Sequence, residues 1–277
     1  IIRNWINSGS NLKNIIEIGS GTGSLIEQIG IKEITAVELS STAREELIKK
    51  GIDTYTTIDE LTTKTSDLIF GNEILDNIPC SIGLYKDEGW YEKVVLLEEN
   101  SLAYGLRPIR NKELDWINKN NIVPNEDYEF EIQVNIDKFL NSVIKKINPG
   151  KILLFDYGYE QKNRDKRMYS SLLRTYKNHH LSVDPIDDPG NIDITYDVNF
   201  SSISSELKYL GYDVTLKLQR DFLLDNGFNI FFDELQEKYI AAEGIEKLKI
   251  NSELNGMKAI VDSNGLGGFY CLIAEKL

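Results

Sequence analysis

The sequence predicts an α/β fold built on an open, mostly parallel sheet, and three observations predict it. From Asn14 to Phe70, short apolar runs alternate with polar-faced helical stretches, the pattern of βαβ units. The first of those runs enters a glycine-rich turn, Ile15 to Ser24, that opens a helix. The chain of 277 residues, 41% of them hydrophobic, can bury one sizeable core, so a single domain over 1–277 is expected.

The predicted strands of the first half are Ile15–Ile18, Ile34–Val37 and Leu68–Phe70, with a weaker one near Ile52. Between them, Ser24–Ile29 and Ser41–Lys50 suit helices, the second with a Ser/Thr cluster for its cap and Gly51 as its stop. The spacing of Ile1, Ile2, Trp5 and Ile6 is also helical. Because the chain starts at Ile1 rather than Met, further sequence is expected upstream. After Pro79, Ser81–Lys86 and Trp90–Leu97 flank an Asp87-Glu88-Gly89 turn, which predicts a β-hairpin inside an insertion over residues 80–133. The rest of that insertion reads as a polar stretch. A helix follows over Val134–Ile147, ending at a Pro149-Gly150 break, and then a strand over Lys151–Phe155. Residues 159–198 form a polar connection too long to be idle. Ser201–Leu210 predicts a helix, Tyr212–Leu218 a strand, Asn229 to about Ile250 helices, and Phe269–Glu275 the last strand.

Composition narrows the partners. With 44 acidic against 31 basic side chains, the formal charge is -13 and the pI near 4.8. Such a field repels phosphate backbones, and the Lys162 to Arg167 stretch is the one dense basic run, so nucleic acid is excluded and a cationic partner favoured. Cys80 and Cys271 lie far apart without CxxC spacing, which fits a reducing compartment such as the cytoplasm and neither a disulfide framework nor a zinc site. No apolar run reaches the roughly 18 residues needed to span a bilayer, and no leader is recognisable, so no membrane partner is expected.

The Ile15–Ser24 segment reads I-I-E-I-G-S-G-T-G-S. Its glycines let a backbone approach a ligand closely, although glycine turns also arise for structural reasons alone. A dinucleotide site would want a glycine where Ser24 stands. Glu17, two positions before the first glycine, is an awkward neighbour for a pyrophosphate. It suits a ligand that carries an ammonium group. Glu38 ends the next apolar run, where a carboxylate can accept hydrogen bonds from the vicinal hydroxyls of a ribose; an ordinary charged strand end is the plainer alternative.

Further motifs occur in order: V-E-L-S at Val37, G-N-E-I-L-D-N-I-P from Gly71, G-W-Y-E-K-V-V from Gly89 and F-D-Y-G at Phe155. L-L-R-T-Y-K-N-H-H follows from Leu172, D-P-G-N-I-D-I-T from Asp188 and G-G-F-Y-C-L from Gly267. In this succession the chain resembles the MidA-like family, which includes the mitochondrial complex I assembly-factor methyltransferase. The likeness runs from the first strand past residue 200 and weakens toward the C-terminus. Two features depart from the family: the upstream segment its members carry is absent, and the Ser24–Gly30 helix is short.

The resemblance implies a Rossmann-like class I methyltransferase sheet with an antiparallel final strand and S-adenosyl-L-methionine as cofactor. It also implies, in a eukaryote, the mitochondrial matrix, and a protein substrate presenting an arginine. Carried onto this sequence, the cofactor residues are Glu17, Gly19, Ser20, Gly21, Thr22, Gly23, Glu38, Leu39 and Asn72, and the catalytic pair is Glu73 and Asp76.

A guanidinium acceptor needs carboxylates that hold its planar fork and balance its charge. Glu73 and Asp76, three apart, would share one side of a helical turn; their alternative role is capping of a helix beginning near Ile74. Asp156 and Tyr157 could line the acceptor pocket or simply form a turn. His179 and His180 could supply a general base but more often serve structure; as the two histidines of the chain they make no metal centre. Trp90 could belong to a recognition surface or to packing, and Asp188-Pro189-Gly190 to a lid or a turn. Other functions stay open: methylation of a small molecule or another side chain, a noncatalytic cofactor-binding assembly factor, and, least, a nucleotide-binding oxidoreductase.

Overall fold

The computed structural model describes residues 1–8, 12–31, 33–62, 66–166, 172–177, 180–181 and 184–276. In chain order the first elements are α1 Ile2–Ser8, β1 Ile15–Ile18, α2 Ser24–Ile29, β2 Ile34–Val37, α3 Ser41–Lys49, β3 Thr54–Tyr55 and β4 Ser66–Asn72. Next come β5 Ser81–Lys86, β6 Gly89–Glu98, β7 Ser101–Pro108, α4 Asn111–Lys119, β8 Tyr128–Ile132, α5 Val134–Ile144 and β9 Ile147–Asp156. After them run β10 Gly158–Tyr159, β11 Leu173–Lys177, β12 His180–Leu181, β13 Asp193–Tyr196, β14 Val198–Asn199 and α6 Phe200–Tyr209. The chain continues with β15 Asp213–Leu218, α7 Gln219–Asp225, α8 Phe228–Ala241, α9 Gly244–Val261 and β16 Tyr270–Lys276. Two compact units result. The first comprises Ile1–Ile74, Ser142–Tyr157 and Leu207–Leu277; the second comprises Leu75–Asn141 and Gly158–Glu206.

In the first unit, seven strands form one sheet in the order β15-β16-β9-β4-β1-β2-β3. Pairing is parallel from β9 to β3, while β16 runs antiparallel to both its neighbours, the reversed final strand that the sequence led us to expect. β1 and β4 lie mid-sheet and read as continuous apolar runs because both faces are covered. Leu68, Ile69 and Phe70 are buried, and in β1 the exception to the apolar run is Glu17. The chain leaves β1 toward β2 and β3, then crosses back to β4 on the other side. That reversal makes the C-terminal ends of β1 and β4 a topological switch point, where open α/β sheets place their ligands.

α3 begins as the sequence predicts: the Ser40 side chain accepts from the Ala43 N–H, 3.4 Å away. Two expectations need correction. The helix before β9 stops at Ile144, and Pro149-Gly150 does not break the chain but sits inside β9. There the register against β4 slips between Ser66 and Leu68, and a Cβ on Gly150 would stand 2.8 Å from the Asp67 carbonyl oxygen, so the bulge needs glycine. The helical C-terminal stretch extends to Val261 and is preceded by α7, which was not anticipated. Phe222 of α7 is fully buried, with its ring 5.1 Å from Phe155 and 5.9 Å from Trp5.

The second unit contains the predicted hairpin, β5 and β6, paired from Ile82↔Lys93 to Lys86↔Gly89. It belongs to a four-stranded antiparallel sheet in the order β7-β6-β5-β8. Residues 99–133 are therefore not a featureless polar stretch but hold β7, α4 and β8. Their polarity pattern misleads because carboxylates are buried against arginines. Glu92, 5% exposed, accepts from Arg107 Nε at 2.9 Å and Nη2 at 2.7 Å, and Glu113, 1% exposed, is bound by Arg110. Trp90 meets Tyr85 and Phe130 edge-on at 4.7 and 5.1 Å, packing on the Trp116, Ile117, Phe130 and Ile132 cluster. The described residues of the connection over 159–198 include β11 between β12 and β13, and a short parallel β10-β14 pair.

Truncating Phe222 to Ala should cost about 3–5 kcal/mol, the usual loss for a fully buried aromatic, and Phe222→Leu clearly less. Urea unfolding followed by circular dichroism reads both midpoints; equal stability of the Ala variant and the native chain would contradict the packing described.

Candidate active site

The predicted cofactor residues of the first unit gather at the switch point. After β1 the chain turns through Gly19 (φ 70), Gly21 (φ 51) and Gly23 (φ 83), all left-handed conformations that favour glycine. Packing also explains two of them: a Cβ on Gly19 would fall 2.3 Å from Ile74 Cγ2, and one on Gly23 would fall 2.7 Å from Leu47 Cδ2. Gly21 is different. A Cβ there would meet nothing within 4 Å, so its side faces open space beside the loop. The loop is held by the Gly19 N–H donating to the Val37 carbonyl at 2.8 Å and the Gly23 N–H to that of Ser20 at 2.9 Å. The Lys50 ammonium donates to the Thr22 carbonyl at 2.8 Å. Thr22 itself is exposed, and the buried Ser20 hydroxyl donates to the Glu17 carbonyl oxygen at 3.0 Å.

Glu17 and Glu38 occupy opposite electrostatic settings. Glu17 is 3% exposed, and its Oε2 has no hydrogen-bond partner. Burial pushes its carboxyl up to about 8; the neighbouring Ser20 hydroxyl opposes the rise and the charge of Glu38 adds to it. Glu38 ends β2 with its carboxylate engaged. Oε2 accepts from the Gly21 N–H and Oε1 from the Ser40 N–H, both at 2.8 Å. Each of its oxygens retains a lone pair for a further donor. Arg44 of α3 closes the β2 exit by donating to the Glu38 carbonyl at 2.8 Å and the Leu39 carbonyl at 2.6 Å. The Leu39 side chain, 76% exposed, lies open to solvent.

At the end of β4, Asn72 pairs with Phe155, and its Nδ2 donates to Glu73 Oε1 at 2.9 Å. Glu73 is exposed, takes a left-handed φ of 51, and donates its N–H to the Phe155 carbonyl at 2.8 Å. Asp156 ends β9 fully buried and accepts from the Tyr157 N–H, while Tyr157 packs edge-on against Phe269. Here the sequence reading is corrected: no helix begins at Ile74, so neither carboxylate caps one and the shared helical face does not exist. The chain makes a turn instead, the Ile78 N–H donating to the Leu75 carbonyl at 3.2 Å.

Asp76 lies in that turn, in the second unit, 3% exposed, and accepts from Asn77 Nδ2 at 2.8 Å. The Tyr196 hydroxyl reaches the Leu75 and Ile78 carbonyl oxygens. Sequence reasoning missed Tyr196, as it missed Arg44 and Ile74. No spacing rule joins positions more than a hundred residues apart, and Ile74 looked like an ordinary apolar residue between two acids. His179 and the His180 side chain lie outside the described residues. Among the described residues no group of three or more His, Cys, Asp or Glu could hold a metal ion, and no helix is long and apolar enough to cross a membrane.

Residues 1–215 match the family described as "Putative S-adenosyl-L-methionine-dependent methyltransferase". A curated relative, the mitochondrial protein arginine methyltransferase NDUFAF7 homolog of Caenorhabditis elegans, is 27% identical over 177 residues, 62% of this chain. The aligned region spans 40% of that relative's length. Two solved structures from Burkholderia thailandensis share the fold. One, bound to S-adenosyl-homocysteine, has a TM-score of 0.82 at 21% identity, covering 99% of this chain and 74% of its own. The other, a native crystal structure, has a TM-score of 0.83 at 21% identity, covering 99% and 77%. With its family match over more than half its length, the chain belongs to this family of S-adenosyl-L-methionine-dependent methyltransferases.

Proposed function

We propose that the chain transfers a methyl group from S-adenosyl-L-methionine to an arginine side chain of a protein partner. The observation that carries the donor half is Glu17, a buried carboxyl with one oxygen lacking a partner, in the strand that leads into the glycine loop. An ammonium group there would supply the missing donor and the compensating charge. Glu38 would accept from the ribose hydroxyls with its remaining lone pairs. The open side of Gly21 admits the ligand close to the backbone of Gly19, Ser20, Thr22 and Gly23. Leu39 offers an apolar surface to a flat base, and Asn72 a polar contact at the end of β4. When bound, the donor supplies an electrophilic methyl on a sulfonium.

Three observations support the arginine acceptor: the exposed Glu73 and the buried Asp76 following β4, the net charge of -13, and the likeness to a relative named as a protein arginine methyltransferase. A guanidinium stays protonated at physiological pH, so the two carboxylates serve to orient one nitrogen and balance charge. As that nitrogen bonds to the methyl carbon and the carbon–sulfur bond breaks, the proton it loses passes to a carboxylate. In this reading the whole chain works as one methyltransferase domain, and the insertion over 80–133 serves acceptor selection. Labelled donor incubated with the protein and its own cell lysate, followed by mass spectrometry, identifies the acceptor; a methyl mapped to another residue type refutes arginine.

Glu38→Ala should weaken binding of S-adenosyl-L-methionine and S-adenosyl-homocysteine ten-fold or more, since hydrogen bonds to a charged group are worth about 1.5–3 kcal/mol. Titration calorimetry decides this, and tight NAD binding without response to the methyl donor would defeat the donor assignment. For Glu17 the sign follows from its raised pKa. The unfolded chain loses this proton near the ordinary value of 4.5 and the free folded protein only near 8, so Glu17 contributes stability at low pH that is lost as pH rises between those values. An ammonium ligand binds the ionised form, so affinity should climb from pH 6 to about 8, by at most about ten-fold per unit, and Glu17→Gln should flatten the climb. Calorimetry across pH reads it; a native slope retained in Glu17→Gln contradicts the role. Glu73→Gln and Asp76→Asn should each lower single-turnover transfer by roughly 10²-fold, as misplaced reactants do, while donor affinity stays near native. Native-rate transfer by either variant removes that residue from the acceptor assignment.

A further inference from the structure

We infer that Tyr196 is the positioning residue for Asp76, an inference that rests on the role proposed for Asp76 above. Asp76 and Asn77 are the two corner residues of the Leu75–Ile78 turn, closed by the Ile78 N–H donating to the Leu75 carbonyl at 3.2 Å. A lone turn of this kind relaxes readily. Here the Tyr196 hydroxyl, on a side chain 4% exposed, lies 2.8 Å from the Leu75 carbonyl oxygen and 2.7 Å from that of Ile78. Its single proton is shared between the two ends of the turn, so one group fixes the span across which Asp76 sits. Beyond the turn, Pro79 fixes the chain direction, and its carbonyl accepts from Asn135 Nδ2 at 2.7 Å.

Tyr196 is itself firmly placed. It ends β13, paired with Leu173 of β11. The next residue, Asp197, accepts from Arg174 Nη1 at 2.7 Å in a buried ion pair, and its carbonyl accepts from Gln133 Nε2 at 3.0 Å. The segments from Leu172 and from Asp188, conspicuous in the sequence but given no part in the chemistry so far, thus pair as β11 and β13 and present one hydroxyl to the turn. Removing that hydroxyl takes one donor from each of two carbonyls, leaves the turn to its Ile78 N–H bond, and loosens the orientation of Asp76.

The test is a double-mutant cycle in single-turnover transfer from labelled S-adenosyl-L-methionine, with the protein fraction of the cell lysate as acceptor. Tyr196→Phe keeps the ring. Transfer should fall about ten- to a hundred-fold while affinity for S-adenosyl-homocysteine stays native, and Tyr196→Phe/Asp76→Asn should be no slower than Asp76→Asn alone. Multiplying effects in the double variant, or native transfer by Tyr196→Phe, overturn the positioning role. Native transfer by Asp76→Asn overturns instead the reading on which it rests. Should Tyr196→Phe fail to fold, Tyr196→His, whose ring N–H can still donate, enters the same cycle, and a fall independent of Asp76 again overturns the role.

Discussion

The close approach of the β1 and β4 exits, filled by the Ile74 side chain, is the constraint on which the rest of the candidate site depends. Ile74 Cγ2 occupies the place a Cβ on Gly19 would need, and Ile74 Cδ1 lies 2.6 Å from where a Cβ on Gly71 would stand. Any larger residue at either glycine would push the strand ends apart or expel Ile74. Because the contact holds, the glycine loop turns tightly over β1, and Glu73 leaves β4 in a left-handed conformation with its N–H on the Phe155 carbonyl. One side chain between two acidic residues thereby sets the rim of the sheet.

The two carboxylates of the first two strands divide the electrostatic work by environment rather than by identity. Glu38, half-buried, directs its charge at two backbone N–H groups, which fastens the loop to the β2 exit. Glu17 is buried in the middle of the sheet, where ionisation without a counter-charge is expensive. The protein alone therefore favours its neutral form, and a cationic ligand is what would make the charged form stable. In the function proposed above, the donor's ammonium is that ligand.

Much of the parallel sheet was legible in the sequence because its strands are buried on both faces, and their apolar runs are short, dense and closed by a glycine or a charged residue. Glu17, Glu38 and the glycines could be found for the same reason: each stands where an apolar run stops or is interrupted. The second unit hid its structure because its interior is partly ionic. Glu92, Glu113 and Glu131 are buried. Arg107 and Arg110 answer the first two and Arg164 pairs with the third, and a pattern that equates charge with exposure reads such strands and helices as loop.

What the sequence determined by itself was the chemistry available at each strand end: which carboxylates, which glycines and in what order along an α/β chain. Local periodicity and short-range turns encode that much, because helix and strand repeat within a few residues. Only the tertiary structure decided how those groups are held. Whether Glu73 and Asp76 lie on a helix or in a turn depends on Ile74 meeting Gly19 and on a tyrosine hydroxyl supplied from some 120 residues away. Contacts of that range are selected by packing and by the need to satisfy buried carbonyls, and neither leaves a period in the sequence.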